Sequence, residues 1–326
     1  MTEPDLNTSE QCLAMPLRNL RQRAVFVPHV RLPWQDGVAA TVLPDNLVHR
    51  ARNAEEAWIE EATGKIGDWR SVTRSVYIRW AITINASVLA GQRYRDLPED
   101  QALRTNTLRV VDGRPEQVVL AIWPAREAAG HYATVTPLIA AYGATDLFGA
   151  LEDVLFALYE IFLRHNPEPL MRGSEFRGLR RLWHRRGESP EDAEAWQTAW
   201  AARFDIWRRN RAYDGLHTVL VAFYQHASLQ RPSFYRLTDV SDWARTLEMI
   251  AELRHLVVHG AAVVSDRLAT LSNTQNSLTF DFEAGQPLDV RLHHLQSVEC
   301  FCDQLLTAIN MSLVERAIGP LRKSGD

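Results

Sequence analysis

Between Trp243 and Gly260 the apolar residues Trp243, Leu247, Ile250, Leu253, Val257 and Val258 recur at spacings of three and four, and the run then stops at a glycine. That period fits one stripe of an α-helix and no strand, so the segment must lay a long apolar stripe against other elements. Gly260 supplies the stop, because glycine takes the left-handed backbone that closes many helices. The same period returns along the second part of the chain and predicts helices over about 145–164, 175–186, 190–210, 213–229, 241–259 and 290–317. Asn166-Pro167-Glu168-Pro169 closes the first of them, since the residue before proline is driven out of helical conformation. Ser189-Pro190-Glu191-Asp192 opens another with a cap and a proline in the first turn.

The first part of the chain reads as mixed but mostly helical. Residues 45–63 are helix-like, and 71–89 carry Val72, Val76, Trp80, Ile84 and Val88 at helical spacing. Residues 108–111 and 118–123, with Asp112-Gly113 after the first run, have the propensities and turn chemistry of a β-hairpin. Residues 124–136, with Gly130 and Pro137 nearby, form the candidate boundary, which divides the chain into 1–133, a regulatory or sensing domain, and 134–320. A second hairpin is expected where 278–282 and 288–292 flank Glu283-Ala284-Gly285-Gln286-Pro287. There is no internal repeat, phosphate loop, dinucleotide fingerprint or Ser or Cys nucleophile signature.

At 326 residues the chain has room for one large domain or two ordinary ones. No apolar run approaches the roughly 20 residues of a membrane span. Met1-Thr2-Glu3-Pro4-Asp5 has no basic stretch followed by an apolar core, so no secretory signal is expected and the cytoplasm is the expected address. Cys12, Cys300 and Cys302 are odd in number and fit a reducing compartment. The last two lie on different faces of a predicted helix and read as buried free thiols rather than a metal knuckle.

The net charge of −4 does not announce a nucleic-acid binder. Every basic residue but Lys65 and Lys323 is arginine, so bulk Arg content carries no argument. One concentration stands out: Arg172, Arg177, Arg180, Arg181, Arg185 and Arg186 around Trp183 and His184, followed by Arg203, Arg208, Arg209 and Arg211 among Phe204, Trp207 and Tyr213. Arginines with exposed rings suit a single-stranded RNA path, through phosphate contacts and base stacking. The alternative is a solvated face paired with Glu188, Glu191, Asp192 and Glu194. The stripe Trp196, Trp200 and Trp207 reads as packing surface.

The chemistry-bearing stretch is Glu252-Leu253-Arg254-His255-Leu256-Val257-Val258-His259-Gly260. Glu252, His255 and His259 share a helix face, and Arg254 lies on its flank. Arg followed five positions later by His is expected about once by chance in such a chain. It occurs again at Arg126 and His131, in a stretch with no apolar stripe that Gly130 interrupts, and that copy is set aside.

Arg254, the polar His255, three apolar residues and His259, late in a long helix, resemble the Arg-polar-x3-His motif of the HEPN superfamily of helical nucleases. The resemblance extends over about 134–320: residues 144–158 look like the family's acidic-apolar first helix, and Val263-Val264-Ser265-Asp266-Arg267, a short hairpin and a long last helix look like its end. It implies a mainly α fold, a HEPN-like helical bundle with a small β-hairpin insertion, preceded by a mixed, mostly helical N-terminal domain. It also implies a metal-independent endoribonuclease with no cofactor, in which Arg254 and His259 are catalytic and His255 and Glu252 auxiliary. Arg177, Arg180, Arg181, Arg185 and Arg186 would contact the RNA. Arg254 and His259 are about 140° apart on an ideal helix, so one helix aims them poorly at a single phosphorus. The family's answer is a homodimer whose two motif helices meet across a twofold axis. Control by an antitoxin or regulatory protein, as in toxin–antitoxin pairs or antiviral defence, follows by analogy.

Three other readings stay open at this point. His259 could be a helix-end cation and Arg254 an ion-pair partner of Glu252 or Glu248. His255 and His259 could bind zinc with His293 or His294, although the glutamate of an H-E-x-x-H hydrolase is missing. The fold could also serve as a non-catalytic module that binds RNA, a nucleotide or a protein.

Overall fold

A computed structural model of the chain describes residues 46–274 and 280–321. The described residues are mainly α-helical with one two-stranded antiparallel sheet. In chain order they form α1 (Ala57–Arg95), β1 (Ala102–Val111), β2 (Arg114–Pro124), α2 (Ala125–His165), α3 (Arg177–Arg185), α4 (Pro190–Asp214), α5 (Leu216–His226), α6 (Val240–Val258), α7 (Asp266–Ser272) and α8 (Leu292–Ile318). Among them no helix is long and apolar enough to cross a membrane. Cys12 lies outside the described residues.

The two helices expected over 45–63 and 71–89 are one. Gly64 and Gly67 interrupt the sequence pattern, but Ile66 and Trp69 are buried and carry the apolar stripe across the gap. The helix also starts later than expected, after a 3-10 turn in which Asn53 accepts a hydrogen bond from the Glu56 amide at 3.1 Å.

The candidate boundary is helical too. α2 runs from Ala125 through Gly130, the 133/134 junction and Pro137. Its first turns bury Ala125, Ala128 and Ala129, a stripe of small residues that a search for large apolar side chains overlooks. Small residues let α1 and α2 approach: a Cβ on Gly143 would come within 3.1 Å of Trp80 and Leu295, and one on Gly91 within 3.2 Å of Tyr132. The discarded Arg126 and His131 sit on this helix, in ion pairs with Glu99 and Glu127.

The hairpin forms as expected and is longer. Asp112 (φ 49°) and Gly113 (φ 78°) both take positive φ, the pair of values that a two-residue type I′ turn requires. The second expected hairpin does not form among the described residues. Phe280 and Phe282 are buried in irregular chain, and the backbone pairing goes elsewhere: Val263 bridges Pro287, and the Val264 and Leu288 amides donate to Gln286 and Ala262 at 2.9 and 3.0 Å. The alternation that looked like a strand belongs to a loop inserting two rings into the core.

Side chains from α1, α2, α4, α5, α6 and α8 share one hydrophobic cluster. Polar ties cross it. Asp303 on α8 receives Arg70 at 3.0 and 3.1 Å and Arg74 at 2.8 Å from α1, and Asp146 on α2 receives Arg79 and the Trp80 indole, each at 2.9 Å. Cys302 is buried as expected, whereas Cys300 is exposed.

Candidate functional site

α6 begins with a capping box, in which the Asp239 carboxylate accepts from the Asp242 amide at 3.1 Å and Asp242 accepts from the Asp239 amide at 3.0 Å. It buries Trp243, Leu247, Ile250, Leu253 and Val257, while Val258, also expected in the stripe, is exposed. Its end is the stop that Gly260 predicts. At φ 65° the glycine turns the chain so that its own amide reaches the Val257 carbonyl at 3.2 Å and the Ala261 amide reaches Leu256 at 2.9 Å. This closure sets His259, the capping residue, at the rim.

Arg254, His255 and His259 are all exposed. The two imidazole rings lie together, 4.4 Å between centroids. The Arg254 guanidinium stands over the ring of buried Phe148 on α2, 5.7 Å from its centroid, a cation–π contact that orients the head and leaves its charge uncompensated. Among the described residues it has no hydrogen bond and no ion pair. The two carboxylates that could have neutralised it are engaged elsewhere: Glu248 pairs with Arg267 at 2.8 Å, and Glu252 accepts from the Ser265 hydroxyl at 2.9 Å with Arg267 at 3.9 Å. Helical spacing puts Glu252 on the histidine face, yet its carboxylate reaches the start of α7, a helix the sequence reading missed and which Ser265 caps through the Leu268 amide. Arg267 thus holds the two carboxylates that the alternative structural reading assigned to Arg254. Phe148 was also missed as part of the site. It lies in the stretch read as the family's first helix, but sequence carries no register between helices.

The arginine cluster is largely committed to structure. Arg180 donates to the carbonyls of Met171 and Gly173, Arg185 reaches Glu188 and Asp192 at 3.3 and 3.2 Å, and Arg186 stacks on Trp183 at 3.2 Å. Arg177 and Arg181 are exposed and make no ion pair among the described residues. Of the rings expected to stack, Phe204 and Trp207 are buried, and with Trp196 and Trp200, read as packing surface, they form a ladder into the core that ends on Tyr159. Tyr213 alone among those named stays fully open to solvent.

Of the histidines offered as zinc partners, His294 is committed: its Nε2 donates to the Phe280 carbonyl at 3.1 Å and its Nδ1 accepts from the Arg291 amide at 2.9 Å. Among the described residues no three His, Cys, Asp or Glu side chains gather as metal ligands. A cavity of about 560 Å³ opens beside this ring, lined by Val264, Phe280, Glu283, Asp289 and His293 among others, and none of the four motif residues lines it.

Burial, with the neighbouring His293, pushes the His294 pKa down from 6.5 to about 4. Below pH 6.5 the unfolded chain therefore binds a proton that the native ring refuses, so native stability is complete above that pH and falls toward pH 4, by about 3 kcal/mol. Urea unfolding at pH 7 and pH 4.5 checks this, and His294→Gln is expected to flatten the dependence.

Comparison with family models, with curated proteins and with solved structures found no match for this chain.

Proposed function

We propose that the protein is a metal-independent endoribonuclease of the HEPN type, acting as a homodimer and serving as a regulated toxin or antiviral effector in the cytoplasm. One observation carries the reading. Arg254 is exposed, oriented over Phe148 and without an acidic partner, while the nearest carboxylates on its helix are bound by Arg267. An uncompensated guanidinium on the helix whose end carries two open imidazoles suits a phosphodiester.

RNA carries its own nucleophile. One imidazole takes the proton of the 2′-hydroxyl, the 2′-oxygen bonds to phosphorus, the bond from phosphorus to the 5′-oxygen breaks, and a second acid gives that oxygen a proton. Arg254 holds the non-bridging oxygens as charge builds on them. His259 is the proton-transfer group, with the second imidazole coming from the other copy, and His255 assists. Glu252 acts indirectly, by holding Ser265 and Arg267 and so leaving Arg254 free. Arg177 and Arg181 are the members of the arginine cluster open to an RNA strand. Residues 1–133 supply regulation.

The test is incubation of purified protein with mixed RNAs in EDTA. Cleavage with 2′,3′-cyclic phosphate ends, and none of DNA, is expected. RNA retained without cutting selects the non-catalytic binding module, and cutting that requires added zinc selects the metal reading.

A further inference from the structure

No residue of the hairpin strands is buried. Beyond its own pairing the hairpin touches chiefly the start of α2, with the Ala125 amide donating to Gln101 at 3.0 Å at its root. A lone two-stranded hairpin is marginal in water, and an apolar sheet face needs a cover. The register shows which face lacks one. Arg104, Asn106, Leu108 and Val110 stand opposite Ile122, Val119, Gln117 and Pro115, with Leu120 left over in a bulge. On that face Leu108, Val110, Val119 and Ile122 are 66%, 76%, 39% and 60% exposed. The other face carries the half-buried Leu103, Thr105, Val118, Ala121 and Trp123.

We infer that this face is covered by the same face of a second copy of the chain. Area favours it: the four side chains and Leu120 expose on the order of 500 Å² of apolar surface, near the largest patch of an ordinary monomer. Two such faces bury about 1,000 Å², the lower bound for a biological interface and the size of a weak, reversible one. Charge favours it too. The face has no acidic residue and one cation, Arg104 at the root, while Asp112 sits in the turn. Both lie four residues from Leu108. A twofold axis across Leu108 therefore sets Arg104 of each copy against the partner's Asp112, and the apolar residues between them against each other. Parallel stacking would instead set arginine on arginine. An isologous contact of this kind closes on itself and ends at two subunits. The choice of a second copy rests on the area and charge of the face itself, and is independent of the composite site, whose Phe148 floor lies about 35 Å further along α2.

Sedimentation velocity of the full chain over roughly 1–100 µM tests it. The parent is expected to be a dimer. Leu108→Glu combined with Ile122→Glu should raise its dissociation constant at least 100-fold, with unchanged far-UV circular dichroism, because both positions are open to solvent. Glu116→Ala, on the opposite face, should leave it unchanged. A monomeric parent, or a double variant that dimerises as tightly as the parent, overturns the inference. The readout is mass, so a dimer that cuts no RNA sinks the nuclease reading alone, and a double variant that dimerises as tightly as the parent sinks this one alone.

Discussion

Arg254→Ala is expected to lower RNA cleavage about 10²- to 10³-fold while leaving the melting temperature within a degree or two of the parent. The size follows from the site. A donor aimed at charge that develops in the transition state contributes about 3–4 kcal/mol, and Arg254 makes no bond among the described residues whose loss would unfold anything. Among the described residues its guanidinium stands over the face of Phe148, which stays buried under its neighbours. Arg254→Lys keeps the charge and loses the planar fork, so an intermediate rate is expected. His259→Ala should match the alanine variant at position 254, since positioned proton transfer is worth about 10²- to 10⁴-fold. Rates measured on one RNA in EDTA, beside thermal melts, decide the matter. An Arg254→Ala protein that cuts at the parental rate removes the guanidinium from the mechanism.

The largest loss of stability is expected at Asp303. Its carboxylate joins α8 to α1 by three short bonds, to a buried Arg70 and a half-buried Arg74. Burial pushes its pKa up, but the hydrogen bonds and charges of the two arginines outweigh burial and hold it below 3.8. Asp303→Asn removes the carboxylate charge that the buried Arg70 and the half-buried Arg74 share, a change that costs about 3–5 kcal/mol. Urea unfolding should show the midpoint moving to lower denaturant at constant slope. A loss under 1 kcal/mol would mean that water already reaches the pair. Because the carboxyl pKa is depressed, the stabilisation is present above about pH 4 and is lost as pH falls through the folded value.

Periodic apolar residues made most of the helices legible, and the type I′ turn at Asp112-Gly113 and the cap at Ser189 fell where local chemistry put them. The failures share a cause. Helices were broken at Gly64, Gly67, Gly130 and Pro137, where local preference opposes a helix, yet the partner helix supplies enough packing to carry each through. Phe280 and Phe282 alternate like a strand because both rings enter the core. At the site, the end of α6 and the residues on its rim were readable from spacing alone. The commitment of Glu248 and Glu252 to Arg267, and the ring under Arg254, were not, because they depend on which helices become neighbours. The burial of Phe204 and Trp207 among the arginines was not legible for the same reason: interleaved rings look exposed until the fold turns them inward.

α2 is continuous over 41 residues, a rod of about 60 Å that carries the hairpin at one end and Phe148 further along. A long helix is stiff between its weak points, and here the weak point is Pro137, whose ring nitrogen cannot donate to the turn before it. A force applied at the strands thus has a lever, with a flexure at the proline, that ends on the floor beneath the guanidinium. What holds the strands is joined to Phe148 through one unbroken helix.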